Sequence, residues 1–535
     1  MDNLTEYEKQ RQENIARNQA LLRDLELRDL GASVSGSARI NVKPAGSRSS
    51  TANSNSHNRN KKKRSHDSAE SKPSSTATPR RVSARLAGIK AEDSAALEKL
   101  ELHNEQAKRK EEQARMRISG TMKFEDISSD RISSFWTFDD DDTLLTGKSE
   151  TQDQELTARP VLEDDIVRLR KDLSSLSLYD RWVPNQIKIT PERVFYLNFH
   201  PSPSRKLILA GDKAGNLGVW DADSQRPAAG PTKAEDEDEE EQDPQLYLFK
   251  VHARTLSYFT FNPDSTTEKL YTASYDGSVR CVDFRSGTSS EVFYGGDGVS
   301  ESGGISEIKF ADTNVFYYST LDGECGRVDI RAKPSSATEI FRLHEKKIGG
   351  MALHPNAPHL AATSSLDRTM KLWDFRQIST LPESGERQPA LLAEYSSRLS
   401  VSCVSWNTAG DIVCNGYDDT INIFNLPDSS TWSVPSADSP VRELVPKTRI
   451  PHNCQTGKWV TILRAHWQPR PADGIQKFVI GNMKKFFDVY TADGVQLARL
   501  GDSARVTTVP AACNFHPTQN WIAGGTASGK VCLYT

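Results

Sequence analysis

A chain of 535 residues, 36 per cent hydrophobic and 26 per cent charged with a net charge of −4, is long enough for one large domain beside a non-globular arm. No apolar run reaches the length of a membrane span, and the opening MDNLTEYEKQ lacks the apolar stretch of a secretory signal, so a site inside the cell and no membrane partner are expected. Seven cysteines, an odd number with no CxxC pair and mostly in predicted strands (Cys281, Cys403, Cys532), read as small buried hydrophobes rather than disulfides or zinc ligands.

Residues 1–180 read as an arm that is basic, mostly disordered and helical in places. Tyr7 to Leu30 alternates charged and apolar residues as a helix would, whereas Ala32 to Thr78 is rich in Ser, Asn, Lys and Arg and cannot support a core. Two basic clusters, KKKR (Lys61 to Arg64) and PRRVSARLAGIK (Pro79 to Lys90), fit a nuclear import signal or a phosphate-binding arm; a solvated charged linker is the plain alternative. The import reading places the protein in the nucleus, with the cytoplasm as a second location. Glu92 to Arg117 has the composition of a single exposed helix.

From residue 181 to 535 the chain repeats itself. ASYDGSVRCVDFR (Ala273 to Arg285) returns as TSSLDRTMKLWDFR (Thr363 to Arg376), and each copy follows a strand that closes on an aromatic or aliphatic residue and a turn, as in FTFNP and MALHP. This is the rhythm of a β-propeller blade. Seven blades are predicted, the first pairing YLNFHP with LILAGDKAGNLGVWD and the seventh pairing ACNFHP with IAGGTASGKVCLYT. The last lacks an outer strand, and the alternating stretch WVPNQIKIT (Trp182 to Thr190) is available to supply it and close the ring. The fold class is therefore all-β, a seven-bladed propeller behind a largely disordered arm.

His252 with Asp276 and His344 with Asp367 look like fragments of a hydrolase triad. They recur at matching positions of two blades, which fits a structural network that pins the turn between second and third strands. With no nucleophile elbow, phosphate-binding glycine loop or metal-ligand spacing elsewhere, no enzyme, cofactor or metal is inferred.

Strand order then sorts the surface. The turn between second and third strands and the link to the next blade open on one face; the turn between third and fourth strands opens on the other. The first face receives Lys213, Arg254, Lys346, Lys347, Arg368, Lys484 and Lys485, a rim of cations suited to a polyanion. The acidic run EDEDEEE (Glu235 to Glu241) falls to the opposite face. The link between the fifth and sixth blades inserts PHNCQTGKW (Pro451 to Trp459) on the basic side. Gln455 and Thr456 before Gly457 make a tight-turn tip, flanked by His452, Asn453, Lys458 and Trp459. Two readings stand: a finger whose polar end meets base edges and whose aromatic stacks, or a connector whose Trp459 packs on the propeller.

GDKAGNLGVWD, HEKKIGGMALHP, SSLDRTMKLWDFR, HNCQTGKW and PRRVSARLAG together resemble the fungal DNA damage-binding WD-repeat proteins of the changed-mutation-rate type, relatives of the animal WD repeat-containing protein 76 group. A more distant similarity reaches the small subunit of the UV-damaged DNA-binding complex. The resemblance implies a nuclear protein that binds single- and double-stranded DNA and prefers UV-damaged duplex. It also implies that Pro451 to Trp459 lies where the distant relative carries a hairpin that fills the space of displaced bases, here with a more polar tip. Blades two, three and four end in VDFR, VDIR and WDFR, and in relatives such an Asp-x-Arg box docks the adaptor of a cullin-type ubiquitin ligase, which makes Arg285, Arg331 and Arg376 candidate protein-docking residues. A local ion pair that closes the blade is the bland reading of the same box. The alternative function is a protein-interaction scaffold, a ligase substrate receptor or a chromatin-assembly platform whose rim binds acidic tails.

Overall fold

The computed structural model describes residues 117–128, 162–184, 186–225, 244–263, 269–295, 303–332, 338–382, 384–434 and 440–535. The basic clusters of the arm, its helix predicted near the N-terminus and the acidic run at 235–241 lie outside the described residues. Seven sheets follow one another along the chain, antiparallel except where Arg442–Glu443 adds parallel to the edge of blade 4. Their innermost strands are Val194–Phe199, Leu256–Phe261, Ile305–Phe310, Ile348–His354, Val401–Trp406, His466–Trp467 and Pro510–Phe515. The seven-bladed propeller expected from the repeats is the observed architecture.

Local chemistry explains why the repeated motifs end where they do. In the FHP and LHP copies the histidine Nδ1 accepts the backbone N–H two residues on, at 3.2 Å for His200, 3.1 Å for His354 and 3.2 Å for His516. Asn407 and Asp312 do the same with a side-chain oxygen, at 2.9 and 2.7 Å. Each side chain folds the turn after the first strand. The histidine and aspartate pairs hold the opposite turn. His344 Nδ1 lies 2.7 Å from Asp367 Oδ2 and its Nε2 2.7 Å from Thr363 Oγ1, which also accepts the indole N–H of Trp373 at 2.8 Å. Trp373 is fully buried. In blade 2 His252 bridges Thr272 and Ser278 at 2.8 and 3.0 Å, and Val282 takes the place of the tryptophan. In both blades the histidine is buried and its bonds go to hydroxyls and a carboxylate that hold this turn.

The ring closes through residues 177–190. Blade 7 has only three strands of its own, ending at Val531–Tyr534. Tyr179 N donates to Leu533 O at 2.8 Å, and Val531 N donates to Ile187 O at 3.1 Å. Isolated bridges join Leu178 to Tyr534 and Lys188 to Lys530. The outer edge is thus covered by a longer and more interrupted segment than Trp182 to Thr190, with Trp182 turned inward to donate its indole N–H to Ala222 O at 2.8 Å. All seven cysteines are free and buried.

Two segments ahead of the ring pack on its outside. Helix α1 (Glu163–Ser174) buries Leu169 and Leu173 against a cluster that includes Val489 and Leu497 of blade 6 and Tyr534 of blade 7. Thr121–Lys123 adds as a fifth strand to blade 2, antiparallel to Thr288–Tyr294. This attachment carries no repeat signal.

Candidate nucleic-acid interface

Every blade turns between its second and third strands through one residue in the left-handed backbone region. In blades 1, 2, 3 and 7 it is glycine: Gly215 (φ 91°), Gly277 (84°), Gly323 (93°) and Gly529 (80°). A Cβ on Gly215 would lie 2.3 Å from the His252 carbonyl oxygen and one on Gly323 2.1 Å from that of His344, so the link to the next blade leaves no room there. In blades 4, 5 and 6 the residue is Arg368 (φ 79°), Asp419 (59°) and Lys485 (69°). A non-glycine residue held in this region costs on the order of 1 kcal/mol, and such strain collects at functional sites. Two of the three are cations of the predicted rim.

Contacts chain the rim cations from blade to blade. Arg193, just before the first strand of blade 1, takes the Lys213 N–H on its carbonyl at 3.0 Å. Lys213 O accepts from Thr255 Oγ1 at 2.9 Å, beside Arg254. Arg254 donates to Tyr275 O at 3.0 Å, and Lys347 Nζ reaches the Tyr275 hydroxyl at 2.9 Å, so two cations converge on the blade 2 turn. Lys346 O accepts from Ser365 Oγ at 3.0 Å, and Arg368 O accepts the Ser397 N–H at 2.8 Å. Lys484 and Lys485 stand exposed at the blade 6 turn on the same face. None of these seven side chains pairs with a carboxylate among the described residues. Six of them are exposed and Lys347 is half-buried against Tyr275; with no acid beside them among the described residues, they keep their charge available to a polyanion.

The link from blade 5 to blade 6 rises over this rim and is tied down by three neighbours. Asp419 Oδ1 accepts Cys454 N at 2.9 Å and Gln455 Nε2 at 3.3 Å, while Gln455 Nε2 also donates to Tyr417 O at 2.6 Å. Thr461 Oγ1 donates to Val194 O of blade 1 at 2.6 Å, and Arg193 Nη1 donates to Lys458 O at 3.0 Å. At the root, Arg464 is buried and its Nη1 meets Glu307 Oε1 of blade 3 at 2.6 Å. The other Glu307 oxygen accepts Met351 N of blade 4 at 3.1 Å. Residues 452–465 therefore bridge blades 5, 3 and 1, with Trp459 at 77 per cent exposure, the highest among the described large hydrophobic side chains.

The tip differs from the one expected. Thr456 is 5 per cent exposed, its hydroxyl 3.4 Å from that of Tyr417, and Gln455 is held by blade 5. The exposed end is Gly457, Lys458 and Trp459, where Gly457 takes φ 61° and a Cβ would meet nothing within 4 Å. Asn453 is exposed and its Oδ1 caps Gln455 N at 3.0 Å. Trp459 projects rather than packing on the ring, and Lys458 Nζ lies 5.3 Å from its ring centre. Trp459 therefore does not pack on the propeller as the connector reading expected. The acids of blade 5 do not oppose the finger, because Asp419 faces it and Asp418 Oδ2 accepts from Ser397 and Thr420. Sequence reasoning missed Arg193 and Arg464. Arg193 has the same topological place as Arg254, ahead of a first strand, and that was the signal available.

On the far face the Asp-x-Arg boxes differ among themselves. Arg331 grips Asp329 through Nε and Nη2 at 2.9 and 2.6 Å, and these hydrogen bonds hold the Asp329 carboxyl down to about 2. Arg376 grips Asp374 at 3.0 and 2.7 Å. Asp283 instead accepts the backbone N–H groups of Arg285 and Ser286 at 3.0 and 3.1 Å, and the Arg285 side chain is exposed.

The family described as WD domain, G-beta repeat matches residues 244–283 and 335–374, each span running from an outer strand through three strands of the following blade. Over almost its whole length the chain is similar to a protein of Phaeosphaeria nodorum named DNA damage-binding protein CMR1, 43 per cent identical over 99 per cent of this chain and 98 per cent of the relative. The chain belongs to the fungal CMR1 family. Other CMR1 relatives are equally extensive: the Neurospora crassa protein is 41 per cent identical over 99 per cent of this chain and 98 per cent of its own, and the Aspergillus clavatus protein 42 per cent over the same shares. In CMR1 terms, the rim and the finger described above belong to the repeat ring, and both lie within the aligned length.

Proposed function

We propose that this chain is a non-enzymatic, nuclear DNA-binding protein that holds duplex and single-stranded DNA on the rim and prefers UV-damaged duplex. The observation that carries the reading is the set of cations without an acidic partner among the described residues, Lys213, Arg254, Lys346, Lys347, Arg368, Lys484 and Lys485, around a braced finger that ends in Lys458 and Trp459. The names of the relatives, which call them DNA damage-binding, support it. Rim cations neutralise phosphates irrespective of sequence. Trp459 stacks on an unpaired base or enters a weakened step, with Asn453 and the free oxygen of Gln455 beside it, while Thr456 sets the angle of the tip. A damaged step is already partly unstacked, so insertion there costs less, and preference for damage follows. Fluorescence anisotropy with intact and UV-irradiated duplex tests this. Trp459→Ala is expected to remove roughly 1–3 kcal/mol of binding to damaged and single-stranded DNA, with intact duplex little affected. Equal losses on intact and irradiated duplex would refute the wedge.

A second reading, docking on a cullin-type ligase adaptor or a chromatin protein, is favoured by Arg285, whose guanidinium is not engaged by its own box aspartate. Arg331 and Arg376 contribute shape, since their guanidinium groups are already held. Arg285→Glu should abolish adaptor capture and leave DNA binding intact; capture that survives it sinks this reading.

A further inference from the structure

The segment Arg117 to Ser128 lies on the outside of blades 1 and 2 in the manner of a bound peptide. Thr121–Lys123 makes a three-residue antiparallel pairing with Thr288 to Ser290, and Phe124 N donates to Gly287 O at 2.9 Å. Two side chains flank this short strand, and each has its own seat. The Arg117 guanidinium lies over Tyr294, 3.6 Å from the ring centre, and meets both oxygens of Glu291 at 2.9 Å. Phe124 is 4 per cent exposed, 4.6 Å from the Phe249 ring of blade 1 and 6.0 Å from Phe284 of blade 2.

Between the two seats stands Arg280, fully buried and, among the described residues, without a carboxylate partner in hydrogen-bonding contact. Its Nε and Nη2 reach Ser289 at 3.0 and 2.7 Å within the blade. Its remaining bonds go to the segment's main chain: Nη1 to Ile118 O at 3.0 Å and Nη2 to Gly120 O at 2.7 Å. Gly120 takes φ 80°, with nothing near a Cβ, and this bend aims its carbonyl inward. At the matching place in blade 4 stands Lys371, half-buried beside Trp373, so a buried arginine is not a requirement of the blade. A guanidinium that reads backbone carbonyls, an acid with an aromatic that reads an arginine, and an aromatic seat are the parts of a strand-addition peptide site.

We infer that the outer edge of blade 2 is a peptide-recognition site for a segment with an arginine, a short strand and, seven residues after the arginine, a phenylalanine that here opens the helical turn Phe124–Ile127. In this chain Arg117 to Ser128 occupies it, and a partner protein's segment of that pattern competes for it. The site lies on the outer wall and stands independently of the DNA-binding reading.

The test uses the full chain with Phe124→Ala and a fluorescent peptide of residues 115–129. The variant is expected to bind the peptide, the wild type at least 10-fold more weakly because its own segment is in place. A Phe124→Ala peptide, or Glu291→Ala in the protein, should weaken binding about 10-fold. A folded variant that does not bind the peptide overturns the inference. Hydrogen exchange on the wild type keeps it testable should the variant not fold: the amides of Phe124 and Ser128 are expected to exchange at least 100-fold faster than those of Cys281 and Val282 in the same blade. Exchange of both sets at one rate would mean that the segment is a fixed part of the ring and would overturn it.

Discussion

The two faces of the ring carry the same residue types in opposite states. On the far face Arg331 and Arg376 are clamped by their own aspartates, two residues back in the chain. On the rim Lys213, Lys346 and Lys484 are exposed with no carboxylate partner among the described residues, and of the two acids nearest the finger Asp419 holds it while Asp418 accepts from Ser397 and Thr420. Pairing with an acid separates these residues, and Arg285, exposed and not held by Asp283, is the far-face exception. The same contrast runs through the seven turns of the rim face, where four blades use glycine and three accept backbone strain for a side chain.

The sharpest way to break this comparison is to reverse charges on each face. Lys213, Lys346 and Lys484 together changed to Glu should lower duplex affinity by roughly 10²–10³-fold, through three lost phosphate contacts and added repulsion, with the melting temperature unchanged. Lys347 is left in place because it supports Tyr275. Arg331 and Arg376 changed to Ala should leave DNA affinity at the wild-type value in the same anisotropy assay. A smaller effect is expected from the strained turns. Arg368→Gly and Lys485→Gly should each raise stability by about 1 kcal/mol in chemical denaturation while reducing the salt slope of DNA binding by about 0.9. Stability and affinity moving in the same direction would contradict the claim that strain there serves the ligand.

Acidity offers a control on the far face, where the turns after the first strands lie. Burial pushes His200 down to about 3, reinforced by Arg205 and His516, and burial takes His516 down to about 4. Both accept backbone N–H groups on Nδ1, and His516 Nε2 bonds Ser202 O at 3.0 Å, geometry that needs neutral rings. Between about pH 6.5 and 4 the unfolded chain binds more protons than the folded one, so stability is full above about pH 6.5 and falls as the pH is lowered. Each histidine should contribute on the order of 1 kcal/mol per pH unit in that window. Replacing both with Asn, which blades 2 and 5 use at this place, should flatten the pH dependence of the melting temperature.

The ring was legible because each blade repeats a pattern whose side chains do local work: Asp367 and His516 act on backbone groups a few residues away or on the adjoining link. The finger was half legible. Its place follows from topology, but its tip moved to Lys458 and Trp459 because Gln455 finds Tyr417 and Asp419 on a neighbouring turn, a contact no spacing reveals. Arg280 was illegible for the same reason. An arginine in a strand reads as outward-facing, and only the segment laid across it from the arm makes the position buried.

Salt dependence of duplex binding tests the division of faces most directly. The slope of log K against log salt should fall in magnitude by about 2.7 when Lys213, Lys346 and Lys484 are neutralised to Gln, since each phosphate contact contributes about 0.9, and should not change when Arg331 and Arg376 are neutralised. A slope that is unchanged by the rim variant, or that drops with the far-face variant, would contradict the account.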